Sequence, residues 1–271
     1  FADGTWPAIT ASGLLTFCVG MLLLVSFYRA SRLTDKRMAY LLVVLMWVAL
    51  ALFGTLPYLA TGVVHNFSNA LFESMSGITS TGATIFPVVE SLPSSILLWR
   101  SMTQWFGGFG IVLLVLAVVP SLGINKHSLY TAEASGADNT SKQTTTMAAT
   151  IRQTLGVYIL LTLLFIYVLW KTGMHVWDAV NITFTNISSG GFSIYNDSAA
   201  SLTSVQQYLL ALTMFCSGIN FALVYSFFTF KWKRLKGKLE QFAFYLFLCV
   251  SVSLPSSCVL HFRMGDSWSE A

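Results

Sequence analysis

Apolar residues occur in six long runs along the chain, and each run is close to the 20 residues that a helix needs to cross about 30 Å of hydrocarbon. Short polar clusters separate several of the runs. This pattern predicts six membrane-spanning helices, at approximately Trp6–Tyr28, Met38–Leu59, Ile96–Val119, Gly156–Trp170 with its approach from Met147, Tyr208–Phe230 and Phe242–Leu260.

Two shorter stretches interrupt this series of spans. Asn66–Ile78 and His175–Ile187 each have helical character for about three turns and are followed by a small polar turn that contains glycine. When one stretch is laid on the other without a gap, Gly82 falls on Gly191. We interpret this as a repeat of span, half-helix, turn and span, and Gly-broken segments of such repeats point to binding sites.

The repeat predicts how the chain is organised. Asp266–Ala271 resembles the opening of a third half-helix, so a third copy begins at the end of the sequence. The predicted regions are a leading helix with a cytoplasmic loop (1–36), a first pore repeat (37–125), a cytoplasmic linker (126–146), a second pore repeat (147–235) and the start of a third (236–271).

Composition agrees with a membrane protein. Hydrophobic residues make up 55% and charged residues 10%, against about 45–50% and 25% in soluble domains; the mean hydropathy is +0.69. Together with the repeat described above, this composition predicts the fold class, an all-α polytopic membrane protein with repeated units of span, pore helix, filter loop and span, as in potassium channels. The net charge of +4 has no patch that would suit nucleic acid.

Basic residues orient the predicted spans. Most of them lie in three polar segments, Arg29–Arg37, Lys126–Arg152 and Lys231–Lys238. The positive-inside rule places these segments in the cytoplasm, so the chain starts outside and the first helix runs inward.

The two turns have the chemistry of a monovalent cation site. A half-helix that enters from outside points its partially negative C-terminal end toward the membrane centre. Gly82 and Gly191 can adopt backbone angles that other residues avoid, and backbone carbonyls can replace the water around a dehydrated cation. Neither turn contains a carboxylate, which argues against a calcium or magnesium site.

Four segments, taken in order, carry a family resemblance: ESMSGITSTGATIFP, RSMTQWFGGFGIVLLVLAVVPSLGI, SSGGFSIYNDS and SGINFALVY. They resemble the TrkH/KtrB superfamily of potassium transporters, which includes the Trk, Ktr and HKT proteins, over nearly the whole chain. The leading helix and the QWFGGFG, PSLGI and LYTAE segments make the TrkH branch the nearer one.

The resemblance implies a function and a set of site residues. It implies potassium uptake across the bacterial cytoplasmic (inner) membrane through a central pore, in a multi-pass homodimer gated by a cytoplasmic nucleotide-binding subunit of the TrkA type. K⁺ is then the transported ion, with no organic cofactor, transition metal or enzymatic activity. The implied ion-binding backbone is that of Thr79, Ser80, Thr81, Gly82, Ala83, Ser188, Ser189, Gly190 and Gly191, with Phe192 ending the second turn.

Three further polar residues have two interpretations each. Glu73 and Arg100 either form an ion pair that braces the first turn or are solvated separately in the outer vestibule. Asn220 either lines the pore or forms a hydrogen bond between helices. Two alternative functions also stay open, a sodium-permeable or sodium-coupled carrier of the same fold and a non-conducting membrane scaffold.

Two filter turns do not enclose an ion by themselves. We expect the chain to be part of a longer protein, because the resemblance implies four repeats and the fourth is missing together with the gating loop. Assembly of two such chains is the other explanation, but it leaves a chain end with unpaired backbone groups at membrane depth.

Overall fold

The computed structural model describes residues 3–28, 36–121, 139–219, 224 and 239–264. In these ranges every regular element is helical, and no strand occurs. The helices are α1 (Trp6–Ser26), α2 (Lys36–Gly54), α3 (Leu56–Ala60), α4 (Phe67–Ile78), α5 (Ser94–Ser121), α6 (Asn139–Lys171), α7 (Val176–Ile187), α8 (Ser204–Gly218) and α9 (Leu239–Met264).

The predicted spans differ from these helices in more than one place. α6 begins at Asn139, inside the predicted linker 126–146, and so starts well before the predicted span Gly156–Trp170. The predicted span Met38–Leu59 is divided, because α2 ends at Gly54 and α3 begins at Leu56 with a proline at its start. Pro57 has no N–H group and its ring crowds the preceding turn, so the chain breaks before it. Of the predicted span Tyr208–Phe230, the structure describes residues 208–219 and 224, and residues 208–218 belong to α8.

Three described helical stretches are long and apolar enough to cross a membrane by length and composition: Trp6–Ser26, Leu41–Ala60, which joins part of α2 to α3, and Ile151–Lys171. The apolar part of α9, Phe242–Ser257, is shorter. Large apolar side chains along α1 are exposed, for example Leu22 and Val25 at 65% and 67%. Such continuous apolar surface is what a helix presents to lipid rather than to water.

The chain forms two compact units, Phe1–Ser217 and Gly218–Ala271. In the first unit α5 occupies the position between the two half-helices: α4 packs against α2 and α5, and α7 packs against α5 and α6. In the second unit α9 contains Pro255 within the helix. Among the described elements, α5 is thus a helix that packs against both half-helices.

The half-helices α4 and α7 have equivalent bounds. Each has 12 residues, and each is capped at its start by a side chain. The Asn66 Oδ1 atom accepts a hydrogen bond from the Ser68 N–H at 2.8 Å, and the His175 Nδ1 atom accepts one from the Trp177 N–H at 3.3 Å. These caps satisfy backbone donors that a helix start leaves unpaired, so both helices begin where the gapless alignment relates them.

Candidate functional site

Both half-helices end in the same hydrogen-bonded turn. We call residues 79–83 the first turn and residues 188–192 the second turn. The Thr81 N–H donates to the Ser76 carbonyl at 2.9 Å, and the Gly190 N–H donates to the Thr185 carbonyl at 2.8 Å. These bonds close a Schellman motif, in which the residue after the helix end usually is glycine. Here that position is a serine in both turns.

The serines adopt a backbone conformation that side chains disfavour. Ser80 and Ser189 both have a φ of 53°, which costs an L-residue roughly 1–2 kcal/mol. Two residues later Gly82 and Gly191 again have positive φ, of 81° and 76°. Each turn therefore contains two residues with positive φ, separated by one residue. The second of them is a glycine, which adopts positive φ without steric strain.

The two turns lie side by side. A methyl group placed on Gly82 would overlap the carbonyl oxygen of Gly190 and would lie 3.6 Å from the carbonyl carbon of Gly191. At Gly191 itself, no heavy atom of the described residues lies within 4 Å of the same position. The glycine of the first turn is thus required for close approach to the second turn, whereas the glycine of the second turn is required by its φ alone.

Most of the predicted carbonyl ligands have no hydrogen-bond partner. Two are engaged: the Ala83 carbonyl accepts from Ser76 Oγ at 2.6 Å, and the Gly190 carbonyl accepts from Gln104 Nε2 at 2.9 Å. No described residue donates to the carbonyls of the others, which are Thr79, Ser80, Thr81, Gly82, Ser188, Ser189 and Gly191. Among the described residues, no donor therefore occupies these oxygens, and their role as cation ligands stays a prediction.

Glu73 and Arg100 form a buried ion pair behind the first turn. The Arg100 Nε atom lies 2.8 Å from the Glu73 Oε1 atom, and the two residues are 1% and 0% exposed. The Glu73 carboxylate also accepts hydrogen bonds from the Thr84 hydroxyl at 3.0 Å and from the Ile85 N–H at 2.9 Å. Of the two interpretations of the sequence, the structure contains the ion pair and not separate solvation.

The same arginine reaches the second turn. The Arg100 Nη1 atom donates to the Ser193 carbonyl at 3.2 Å, and the guanidinium carbon lies 4.2 Å from the centre of the Phe192 ring. Its Nη2 atom donates to the Thr84 hydroxyl at 3.1 Å. A single buried guanidinium therefore connects the segments that follow both turns.

Gln104 is a site residue that sequence reasoning missed. Its side chain is fully buried; besides donating to Gly190, its Oε1 atom accepts a hydrogen bond from the Phe192 N–H at 3.1 Å. The sequence carries one signal for Gln104, its distance from Arg100. The two residues are four positions apart, and residues at that spacing lie on the same face of a helix. A buried polar residue in an apolar span is a functional candidate by default.

Glycines of α5 allow both turns to approach this helix. A methyl group on Gly107 would overlap the carbonyl of Ile78, at the end of α4. A methyl group on Gly108 would lie 2.6 Å from the β-carbon of Ser188, at the start of the second turn. Gly110 has more room, since its nearest neighbour is a Trp47 ring atom at 4.0 Å.

The segments after the two turns also bind each other. The Val89 N–H donates to Asn196 Oδ1 at 2.7 Å, and the Asn196 N–H donates to a Glu90 carboxylate oxygen at 3.0 Å. Burial, and secondarily the Asp178 carboxylate, raises the pKa of the neighbouring Tyr195 to about 12. The tyrosine hydroxyl therefore stays protonated at neutral pH.

Several predicted residues lie outside the described ones. Asn220, the segment Lys231–Lys238, the beginning of Lys126–Arg152 and the predicted third half-helix at Asp266–Ala271 belong to this group.

Comparisons with known proteins relate the chain to cation transporters. A family model for TrkH, described as a cation transport protein, matches residues 5–261. The Trk system potassium uptake protein TrkH of Salmonella typhimurium is 33% identical over 96% of this chain and 54% of its own length. The Escherichia coli K12 protein of that name is 32% identical over 100% of this chain and 56% of its own length.

A solved structure agrees with these sequence relatives. The crystal structure of the potassium transporter TrkH from Vibrio parahaemolyticus superimposes with a TM-score of 0.77 at 26% identity, over 94% of this chain and 53% of that chain. The chain therefore spans about half the length of the relatives it matches.

Proposed function

Because this chain belongs to the TrkH family of cation transport proteins, which are membrane transporters and not enzymes, we propose that it forms part of a potassium-uptake pore. In this proposal the first and second turns are two of the pore's filter loops. Potassium ions enter from outside, bind the free backbone carbonyls of these turns and pass inward down the electrical gradient.

The observation that supports this proposal is the pairing of two equivalent turns. Both have left-handed residues at the same positions, Ser80 with Gly82 and Ser189 with Gly191, and the turns touch each other. A pore lined by backbone carbonyls needs several such loops around one axis, because one loop cannot replace the hydration shell of an ion. Side-chain carboxylates are absent from both turns, which suits a monovalent cation.

Helix orientation adds a modest electrostatic contribution. The C-terminal ends of α4 and α7 lie directly before the turns, and each carries roughly half a negative charge that favours a cation by about 0.3–1 kcal/mol. In this proposal, helix dipoles and backbone carbonyls stabilise the ion, without a fixed charge in the turns that would hold the ion too tightly for flux.

The partners belong to the proposal as well. Relatives are named as members of a Trk system, and we infer a homodimer in the bacterial inner membrane, regulated by a nucleotide-binding subunit of the TrkA type. The expected docking surface is cytoplasmic, at Lys126–Arg152 and Lys231–Lys238. Potassium is the transported ion, and no organic cofactor is required.

Substitution of the two turn glycines tests the proposal. The protein at its full natural length is expressed in a bacterial strain without potassium uptake systems, and growth at low external potassium is measured with the fluxes of K⁺ and Na⁺. Gly82→Val and Gly191→Val should lower K⁺ flux or its preference over Na⁺, because valine cannot adopt their backbone angles without strain. Gly173→Val, at φ 90° and away from the turns, is the control.

Three outcomes would contradict parts of the proposal. Unchanged flux and unchanged ion preference in both turn variants would remove the filter assignment. Sodium flux equal to potassium flux in the unsubstituted protein would favour the sodium-permeable carrier. No rescue by a protein that accumulates normally would favour the non-conducting scaffold.

A further inference from the structure

We propose that Gln104 is a positioning residue that holds the second turn at the geometry that prefers potassium to sodium. This inference rests on the proposed function and adds a specificity-determining residue to it. In this inference Gln104 is not an ion ligand; it acts through the backbone of Gly190 and Phe192, to which its amide is hydrogen-bonded.

The two hydrogen bonds lie on either side of Gly191. The amide nitrogen of Gln104 donates to the Gly190 carbonyl at 2.9 Å, and its oxygen accepts from the Phe192 N–H at 3.1 Å. Both hydrogen-bonded groups are buried, where an unpaired backbone group is destabilising because no water replaces the lost partner. Together they fix the peptide groups before and after the residue whose carbonyl remains free for the cation.

The Gln104 amide packs closely against the α-carbon of Gly190, which has no side chain. A methyl group at Gly190 would overlap the Gln104 amide group, with its carbon, oxygen and nitrogen as the three nearest atoms. Gly190 has no positive φ that would require glycine. The contact with Gln104 is therefore the reason that the second turn carries glycine here, where the first turn carries Thr81.

The contact is not repeated on the equivalent helix. When α5 and α8 are aligned by their first residues, Ser94 and Ser204, Thr103 pairs with Thr213. Both threonines are buried. It also places Met214 on Gln104, and a thioether cannot donate a hydrogen bond. The amide is thus specific to the boundary between the first and second repeats and is not a general feature of the spans.

A fixed carbonyl position affects the smaller ion more than the larger one. Sodium is smaller than potassium, so a turn must move inward to coordinate it as closely. Gln104 sits on a helix that also packs against α4, and its buried amide resists such movement of Gly190 and Phe192. Loss of the contact should therefore lower discrimination between the two cations, whether cavity size or carbonyl field sets it.

The test measures the K⁺/Na⁺ permeability ratio of the full-length protein in reconstituted vesicles. Gln104→Glu keeps the size and an acceptor for Phe192 but removes the donor to Gly190; Gln104→Met removes both. We expect each to lower the ratio by about tenfold, which equals about 1.4 kcal/mol. The ratio does not depend on how many molecules insert, so it separates positioning from a general loss of stability.

Gln206 provides the matched control. It is also a buried glutamine with two hydrogen bonds, from the Thr203 N–H at 3.1 Å and to the Thr172 hydroxyl at 3.3 Å, and it does not touch either turn. Gln206→Glu and Gln206→Met should leave the permeability ratio unchanged. A drop in ratio equal to that of the Gln104 variants would make the effect nonspecific and overturn the inference.

The remaining outcomes are also decisive. If Gly82→Val and Gly191→Val change the ratio but neither Gln104 variant does, the filter proposal stands and this inference is wrong. If the glycine variants also have no effect, the filter proposal itself fails. If both Gln104 variants fail to accumulate while both Gln206 variants accumulate, Gln104 serves folding and not selectivity.

Discussion

The first and second turns share a backbone conformation but are held in different ways. The first turn is braced from its own half-helix, where Glu73 on α4 accepts hydrogen bonds from Thr84 and Ile85. The second turn is braced from α5, the helix that follows the first turn and contributes Arg100 and Gln104. α5 therefore supports both turns, the first through Arg100 and the second through Arg100 and Gln104, whereas a carboxylate on the half-helix itself contributes only to the first.

This difference shows what a repeated backbone requires and what it leaves free. The half-helix length, the left-handed positions and the turn hydrogen bonds are the same in both copies, because the chain reversal needs them. The supporting side chains are not the same, since any buried donor or acceptor in the right place can satisfy the turn. Arg100 joins the two arrangements, as it contacts Glu73 on one side and Ser193 on the other.

The largest expected effect comes from breaking the Glu73–Arg100 pair. Arg100→Met leaves a buried carboxylate without its counter-charge and should destabilise the protein by about 3–5 kcal/mol. Glu73→Gln should destabilise it as well, since the guanidinium then loses its partner. Thermal unfolding in detergent, followed by tryptophan fluorescence, measures both changes.

The double variant measures the interaction between Glu73 and Arg100. With both substitutions present, the loss should be smaller than the sum of the single losses by at least about 1 kcal/mol. Strict additivity would mean that the two side chains do not interact in the folded protein, contrary to the geometry. Lys171→Met, at an exposed cation that lies 4.6 Å from the Trp170 ring, should change stability by under about 1 kcal/mol.

A smaller effect should separate the two turn glycines. Gly82→Ala introduces a methyl group against the Gly190 carbonyl and a strained φ, whereas Gly191→Ala introduces the strained φ alone. The strain costs roughly 1–2 kcal/mol in each, and the overlap adds about 1–3 kcal/mol to the first. Gly82→Ala should therefore lower the unfolding temperature more than Gly191→Ala does.

A third alanine variant calibrates this comparison. Gly173 has a φ of 90° and no neighbour within 4 Å, but it lies in the loop before α7. Gly173→Ala should match Gly191→Ala in stability and leave ion flux unchanged. Equal losses for Gly82→Ala and Gly191→Ala would show that the two turns do not press against each other.

Local sequence signals predicted the elements that carry the site. Asn66 and His175 precede apolar helical stretches, and both half-helices begin directly after them and end as predicted at Ile78 and Ile187. Gly82 and Gly191 have the positive φ for which glycine is suited. These features depend on neighbouring residues, so similar local sequences predict the same local structure in both copies. Their role as ion ligands stays a prediction.

Contacts between distant residues could not be predicted in the same way. Gln104 and Gly190 are 86 residues apart, and nothing in either neighbourhood indicates that α5 packs against the second half-helix. The sequence leaves the ion pair as one of two alternatives. Burial of Glu73 and Arg100 depends on how α4, α5 and the second turn pack together, and the sequence does not show that packing. Pro57 is a local signal for the break between α2 and α3, but the continuous apolar run around it predicts a single span.

The smallest expected effect concerns the start of the helix that holds the second turn. The Asp3 carboxylate accepts a hydrogen bond from the Ser95 N–H at 2.9 Å, at the beginning of α5, and this bond lowers the pKa of Asp3 below its ordinary 3.8. The equivalent helix α8 is capped instead by the neutral Gln206, whose side chain accepts from the Thr203 N–H. Only the α5 cap should therefore depend on pH.

Because the folded-state pKa of Asp3 is lowered, its charge stabilises the protein above pH 3.8, and this contribution is lost as the pH falls through the lower folded-state value. Asp3→Asn keeps an acceptor but removes the charge, so it should cost under about 1 kcal/mol at pH 7, and this cost should shrink as the pH falls through the folded-state pKa of Asp3. Unfolding temperatures of the protein and the variant, measured from pH 7 to pH 3, should converge at the acid end. A constant difference across this range would mean that the Asp3 charge does not stabilise α5, and the pH dependence of the α5 cap would have to come from another group.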